Sequence, residues 1–587
     1  MSLIYPRRIA AVFAGLAAAV LIAAEPGPAE TFSALVRQND VQVTGWLEAF
    51  PARAAQPRES ARLLKMSSAA YTHPESRWHH RAELLALMER LVAALAARQN
   101  KDGSFDGEFA FGNPQSPPDS GFALRHLAQA LALLQNDGSG AAKGAHGQLR
   151  PLVERGAGML RTGGVHTPNH RWVICGALSH IQSLLPAAAN VARIDDWLGE
   201  GIDQDRDGQF SERSTIYSGV TDEGLLDVAI NLRRPALLDP VRRNLEFWLV
   251  CADANGDLDT LASRRQDQQL REPRRLAAYY VPLRYLAIEL QQGQFAAAVR
   301  TIERDDLARV TDYLAEWMLW PTLRRELPAS KPMPDNFSRH LPDSGLVRFR
   351  RGAVSASVFG GGDWAKVHDI SSGLSTNPTF FRFSKGAAVL ESVRLAPGFF
   401  NLGYFRSDGI EVTSDGREVR LGQTQRAAYY QPLPAAARRP GGDYALTSDG
   451  RFYSKMDFPH RPRDEKQLTS RITVRERATA PGEFELEFEI GGTDRIGVTI
   501  EIAFRAGGRL AGGEVRPSEP DTYFLKEGNA RYTVGGDTIE VGPGSFGPSR
   551  FSLSGEDYSW RNGQLRAEGV RLYLTGVTPF RHTLIVK

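Results

Sequence analysis

The sequence predicts an α+β multidomain protein, an N-terminal (α/α) toroid followed by a C-terminal antiparallel β-sandwich. Three observations predict it. Apolar residues recur with a helical period over residues 31–326 and with a period of two over 344–587. A Pro-rich stretch, Leu327-Pro328-Ala329-Ser330-Lys331-Pro332-Met333-Pro334, opens a linker at 327–343 between the two halves. The chain has 587 residues, more than one hydrophobic core accommodates.

At the N-terminus, Arg7-Arg8 precedes an apolar run, Ile9 to Ala24, and then Glu25-Pro26-Gly27-Pro28. A basic start, an apolar stretch and a small-residue zone read as a signal peptide over 1–24. The run is short and Ala-rich for a membrane span, and no Cys lies near the cleavage zone. The expected address is therefore secreted or periplasmic, with no stable membrane insertion after cleavage.

In the first half, Leu84, Leu87, Met88, Leu91, Val92 and Leu95 share one helical face. Helices are also expected over 119–135, 171–187, 220–231, 237–252, 274–291 and 303–320. Turn clusters such as Asn100-Lys101-Asp102-Gly103 and Asn136-Asp137-Gly138-Ser139-Gly140 separate them. Paired antiparallel helices without a fixed-period repeat favour a closed toroid over a solenoid. Cys175 and Cys251 sit in apolar helical surroundings and read as buried free thiols.

In the second half, Phe484, Leu486, Phe488 and Ile490 alternate with glutamates, and Val498, Ile500, Ile502 and Phe504 alternate again. Gly491-Gly492-Thr493-Asp494 between them reads as the turn of a hairpin. Strand patterns recur at 347–359, 379–392, 470–476 and 570–586. The formal net charge is +3, from 71 basic and 68 acidic residues. That balance argues against a nucleic-acid binder and is compatible with an acidic substrate.

The chemistry concentrates in two stretches, Thr167-Pro168-Asn169-His170-Arg171-Trp172 and Ser211-Glu212-Arg213-Ser214-Thr215-Ile216-Tyr217. Pro168 places Asn169 and His170 at a helix start. Arg213 and Tyr217 are four apart and share a face if that segment is helical. An amide can hydrogen-bond a carboxylate and an Arg can neutralise it, so that the proton beside it becomes removable. His and Tyr can take that proton and return one to a leaving oxygen, and a neighbouring Arg favours the phenolate of a Tyr. Together these side chains suit β-elimination of a uronic-acid glycan. Arg264 or Arg265, in Ser263-Arg264-Arg265-Gln266-Asp267, is expected to hold a substrate carboxylate or sulfate. Trp78 and His79, in Ser76-Arg77-Trp78-His79-His80, are candidates to line the cleft, as are Tyr404 and His368 from the second half.

On these residues the chain resembles the heparinase II/III-like polysaccharide lyases, relatives of the toroid alginate lyases. The adjacent Asn-His pair matches Asn169-His170, the later Tyr matches Tyr217, and Arg213 stands as its accompanying Arg. Ser371-Ser372-Gly373-Leu374-Ser375-Thr376-Asn377-Pro378-Thr379-Phe380-Phe381 is similar to that family's β-domain. The resemblance implies that Asn169 binds the carboxylate, that Tyr217 is acid or base, and that His170 is the base or its helper. It also implies an acidic polysaccharide or oligosaccharide partner and no required cofactor.

Asp203-x-Asp205-x-Asp207-Gly208 matches the opening of a calcium loop, so a structural Ca²⁺ is an expectation there. Position twelve is Ser214 rather than Glu, which departs from the pattern. A second acidic turn follows at Asp253-x-Asn255-Gly256-Asp257-x-Asp259. Two other functions compete: a toroid glycoside hydrolase using paired carboxylates such as Asp119 and Asp222, and a non-catalytic glycan-binding protein. Neither the polymer, nor endo against exo action, nor the oligomeric state is legible in the residues.

Overall fold

The computed structural model describes residues 26–49, 56–107, 112–265, 267, 272–362, 377–450, 453–513, 515–547 and 569–587. The expected signal peptide and His368 lie outside these residues. Among the described residues, no helix is long and apolar enough to cross a membrane.

Among the described residues of the first half, the regular elements are helices. Its helices are α1 (Pro28–Ala49), α2 (Pro57–Thr72), α3 (Ala82–Arg98), α4 (Pro117–Gln135), α5 (Lys143–Leu160) and α6 (Asn169–Leu184). There follow α7 (Ala188–Gly199), α8 (Thr215–Asn231), α9 (Leu238–Cys251), α10 (Tyr280–Glu289), α11 (Gly293–Thr301) and α12 (Leu314–Leu319). The even-numbered helices form the inner ring: α2 packs on α4, α4 on α6 and α6 on α8, while α12 touches α2 and α4. α3 and α5 pack outside them, and α3 buries the six-residue apolar face read from the sequence. Both cysteines are free and buried. The helix expected over 303–320 is broken. A π-helical turn at Ile302–Asp306 and a 3₁₀ turn at Leu307–Arg309 precede α12, and Asp312 takes a left-handed φ of 73° between them.

The inner helices begin on the same end of the ring. Arg58, at the start of α2, lies 3.6 Å from the ring centroid of Phe122 at the start of α4. Phe122 in turn meets His170 at the start of α6. The positive ends of several helix dipoles therefore gather on one face, which suits an anionic ligand.

One turn design recurs at that face. In the segments beginning at Asn100, Asp205 and Asp253, the first residue's carbonyl accepts from a glycine or Gly-position amide at 2.9, 3.1 and 3.0 Å. Its own N–H donates to the carbonyl four residues on, at 2.8 Å in all three. Gly103 and Gly208 hold φ of 93° and 97°, and a Cβ there would fall 2.3 Å from the Arg155 carbonyl and 2.5 Å from that of Arg243. Left-handed backbone and close approach explain the Asp/Asn-Gly spacing without a metal. Asp205 accepts from the Gln209 amide at 2.9 Å, and Asp207 accepts from the Ser344 amide at 2.8 Å. Asp203, Asp205 and Asp207 thus do not converge into a calcium cage, and among the described residues no three His, Cys, Asp or Glu side chains could hold a metal ion.

Among the described residues, the second half is a sandwich of a nine-stranded and an eight-stranded sheet. Pairing within them is antiparallel except where Thr522–Leu525 runs parallel to Arg571–Val577. The expected hairpin is not one. Phe484–Gly492 pairs with Arg463–Glu476 and Phe580–Val586 in one sheet, whereas Gly497–Phe504 pairs with Ala388–Pro397 and Arg571–Val577 in the other. Both runs bury their apolar residues between the sheets, so the chain crosses the core at Arg495, which takes φ of 60°. The first strand, Asn336–Leu341, lies inside the stretch expected to be linker. It is an edge strand with little apolar content, which is why periodicity missed it.

Arginines of the sandwich dock into the acidic turns of the toroid. Arg348, with no solvent exposure, donates to Asp253 at 2.9 Å and Asp259 at 3.1 Å. Arg382 also binds Asp253, and Arg505 binds Asp257 at 2.5 Å. Arg206 on the other acidic turn pairs with Asp343 at 2.9 Å. The sandwich is therefore held beside the face where the inner helices start.

Candidate active site

α6 begins at Asn169, directly after Pro168, as the sequence implied. Consecutive residues point about 100° apart around a helix, and the two side chains diverge accordingly. Asn169 is 1% exposed. Its Nδ2 donates to Glu212 Oε2 at 2.6 Å and to Thr167 Oγ1 at 3.3 Å. His170 turns toward α4, meeting the His166 ring edge-on at 4.7 Å and Phe122 at 6.5 Å. Burial, then the nearby His166, Arg265 and Arg58, push its pKa down to about 3. The imidazole is therefore neutral at ordinary pH, and its buried Nδ1 has no hydrogen-bond partner among the described residues.

α8 begins at Thr215. Ser214 caps it by accepting from the amides of Ile216 at 3.1 Å and Tyr217 at 3.3 Å, which puts Tyr217 in the first turn. Asp267 adds a carboxylate to the same helix start, accepting from the Thr215 amide at 3.0 Å and from Ser214 Oγ at 3.2 Å. That contact pins the 263–267 segment against α8. It sets the Arg265 guanidinium 4.3 Å from the Tyr217 ring centroid. Arg265 Nη1 donates to Glu212 Oε1 at 2.6 Å.

Glu212 thus joins the two helix starts. One oxygen holds Asn169, the other holds Arg265, and Arg265 lies over Tyr217. Burial raises the Glu212 pKa, while Arg265 and the Asn169 bond oppose the shift. The separation between Asn169 and Tyr217, invisible in sequence, is bridged by one carboxylate and one guanidinium. Glu212 stands in the stretch singled out from sequence, yet no spacing rule marks it, because its partners are 43 and 53 residues away.

Other expected residues fall elsewhere. Arg213 precedes the cap with φ of 48°, so it does not share a helical face with Tyr217. Its Nη2 donates to the Asp343 carbonyl at the junction with the sandwich. Arg264 donates to the Ser211 carbonyl at 3.1 Å and so holds the backbone beside Glu212; of the two arginines, Arg265 is the one at the site. Trp78 is buried, with Nε1 near Asp40 O at 3.4 Å and Thr44 Oγ1 at 3.2 Å. His79 stacks on His80, which bonds Asp137 just beyond the C-terminus of α4. The 19 residues of α4 put that end roughly 28 Å from the cluster at its start. Trp78 and His79 are therefore packing residues on the opposite face of the ring. Tyr404 is 6% exposed, with Arg394 over its ring, and offers no open face to a sugar.

The carboxylate pair also fails. Asp119 accepts from Ser116 Oγ at 2.5 Å in the first turn of α4. Asp222 has no exposed surface, and burial with Glu223 nearby raises its pKa well above the usual range. A general acid must touch the glycosidic oxygen, and Asp222 cannot.

No family model matches this chain, and no curated protein does. Solved structures do. The chondroitin AC lyase of Streptomyces coelicolor A3, in complex with chondroitin sulphate, superposes with a TM-score of 0.55 at 12% identity, over 94% of this chain and 79% of that one. The chain has a polysaccharide-lyase fold. A xanthan lyase of Paenibacillus shares that lyase fold with a TM-score of 0.55 at 12% identity, over 95% of this chain and 57% of its own. Heparinase III aligns at 0.49 and 11% identity, over 90% of this chain and 76% of its own. At these identities the likeness to the chondroitin AC and xanthan lyases is one of fold, the toroid and sandwich expected from the sequence.

Proposed function

We propose that the protein is a secreted polysaccharide lyase that cleaves a uronic-acid glycan by β-elimination. The observation that carries this reading is the continuous set Asn169–Glu212–Arg265–Tyr217 with neutral His170 beside it. Arg265 is the cation placed to neutralise the substrate carboxylate, so that charge developing at C5 on deprotonation is stabilised. Asn169 supports it from behind through Glu212. His170, held neutral, accepts the C5 proton, and an incoming carboxylate offsets the repulsion that Arg265 and Arg58 exert on its protonated form. Tyr217 supplies a phenolic proton to the leaving glycosidic oxygen. The C4–O bond breaks as the C4–C5 double bond forms, and no water is consumed.

The test is a panel of uronate polymers (alginate, glucuronan, heparan, chondroitin and ulvan) monitored for new ultraviolet absorbance. One of them is expected to give an unsaturated product. Silence across the panel, or saturated ends only, counts against the reading.

Because His170 titrates near 3 in the free protein, the acid limb of kcat/KM is expected near that value. A limb near the ordinary histidine value would show that burial and the neighbouring cations do not hold His170 neutral in this way, and an acid limb that persists in His170→Ala would show that His170 is not the base. Glu212→Gln keeps the volume but removes the charge that binds Arg265. A charge-assisted hydrogen bond is worth about 1.5–3 kcal/mol, so kcat is expected to fall about tenfold to hundredfold with an unchanged circular-dichroism spectrum. Wild-type kcat in that variant would show that the bridge does not position the site.

A further inference from the structure

A second feature lies on the other side of the turn that carries Tyr217. Between the starts of α2, α4 and α8 and the 309–313 segment opens a cavity of about 570 Å³. Thr215 and Ile216, which directly precede Tyr217 in sequence, form part of its wall. So does Arg58, whose guanidinium stacks on Phe122 next to His170. The cavity therefore adjoins the proposed catalytic cluster but is lined by different side chains.

Its lining is basic. Arg58, Arg62, Lys65, Arg125, Arg274 and Arg309 face it, against the carboxylates Glu59, Glu223 and Asp312. Several cations are already engaged deep in the wall: Lys65 with Glu316 at 3.1 Å, and Arg125 with Glu223 at 3.0 Å and Asp227 at 2.6 Å. Two lining groups are not. Among the described residues, Arg274 Nε and His126 Nδ1 are buried without a hydrogen-bond partner. A buried donor without a partner, such as Arg274 Nε, is costly, and the Arg274 side chain belongs to the wall of this basic cavity. Among the described residues, Arg309 makes loose ion pairs, at 3.5 Å, with Glu272 and Asp306. The dipoles of the converging helices add to the same field.

We propose that this cavity is an anion subsite, which takes the carboxylate or sulfate of a sugar neighbouring the one that is cleaved. The inference rests on the reading of the adjoining cluster as a lyase site, and it adds a requirement to it. The substrate carries acidic groups on more than one sugar of the bound stretch, and Arg274, with Arg309, is a specificity-determining contact for the second group. A polymer with an isolated uronate among neutral sugars forfeits that contact.

The test measures binding apart from turnover. Calorimetric titrations use the full chain carrying Tyr217→Phe, with three probes: a fully uronate oligosaccharide, its sulfated counterpart, and an oligosaccharide with one uronate among neutral sugars. The first or the second is expected to bind more tightly than the third, and which one does so identifies carboxylate or sulfate as the second group. Arg274→Ala, and separately Arg309→Ala, are expected to weaken that preferred probe about tenfold or more, as loss of one charge-assisted bond implies. The single-uronate probe is expected to be unaffected and the melting temperature unchanged. Equal affinity for all three probes, or unchanged affinity in both variants, overturns the proposal. Arg274-dependent binding in a protein whose unmutated form releases no unsaturated product from any polymer supports the subsite and sinks the lyase reading, so the two failures are distinguishable.

Discussion

Tyr217→Phe is expected to lower kcat by about 10²–10⁴, the usual contribution of a positioned proton-transfer group, with little change in KM. The substitution removes one oxygen and leaves the ring, and the ring is what Arg265 stacks against at 4.3 Å. Arg265 therefore keeps its place between Tyr217 and Glu212, and substrate binding through Arg265 survives. A matched fall in kcat and kcat/KM is the signature of an interaction made only in the transition state. His170→Ala is expected to fall in the same range. Because the two groups act in one elimination, the double variant is expected to be no worse than a few-fold below either single one. Multiplicative losses would show that the two residues do not serve the same step. The glycan-binding alternative predicts something different, that Tyr217→Phe leaves the protein's activity intact.

Arg348→Ala is the largest expected stability effect. Arg348 is wholly buried and lies between Asp253 and Asp259, both of which are also buried. Arg348 and Arg382 hold the Asp253 carboxyl down to about 2 against the upward pull of burial. Removing Arg348 leaves Asp259, among the described residues, with the more distant Arg382, at 3.8 Å, as its charged partner. Breaking a buried pair on one side costs about 3–5 kcal/mol. The loss is expected at the junction between toroid and sandwich, so unfolding is expected to split into two transitions in calorimetry. Arg348→Lys is expected to rescue little, because one ammonium does not span two carboxylates in the way a planar fork does. A single transition at the wild-type temperature would show that the junction does not hold the two halves together. The same docking places the sandwich beside the face where the inner helices start, so loss of activity is expected to accompany the split.

Residue type and helix-start grammar single out Asn169, His170 and Tyr217 as candidates. Pro168 and Ser214 mark the two helix starts locally, and an (α/α) ring gathers such starts on one face. What local grammar cannot supply is which residues meet across the ring. Glu212 carries no local mark for that reason, and Arg264 and Arg265 differ only through Asp267, which binds the start of α8 and leaves Arg265 beside Glu212 and Tyr217. Arg213 was paired with Tyr217 by a spacing of four that holds only inside a helix, and the helix starts two residues later. Trp78 and His79 look like sugar-binding residues by type, but type does not say at which end of a helix a residue lies. The acidic turns looked like calcium loops because turn chemistry and calcium ligation use the same Asp, Asn and Gly. The structure uses those residues for a repeated turn and as sockets for arginines. In the sandwich, a period of two identified the strands but not their sheet. Two strands joined by a short Gly-rich turn pair with each other only when their buried faces belong to one layer, and here they belong to two.

The most direct test of elimination at the Asn169–Tyr217 cluster is the fate of solvent oxygen. The panel polymer that the protein cleaves is digested in water enriched in heavy oxygen, and the fresh products are analysed by mass spectrometry. Elimination predicts an unsaturated fragment and a saturated fragment, neither carrying solvent oxygen from the cleavage, whose masses add up to that of the parent. One heavy oxygen incorporated at each cleavage, with no unsaturated end, would identify hydrolysis and contradict the account.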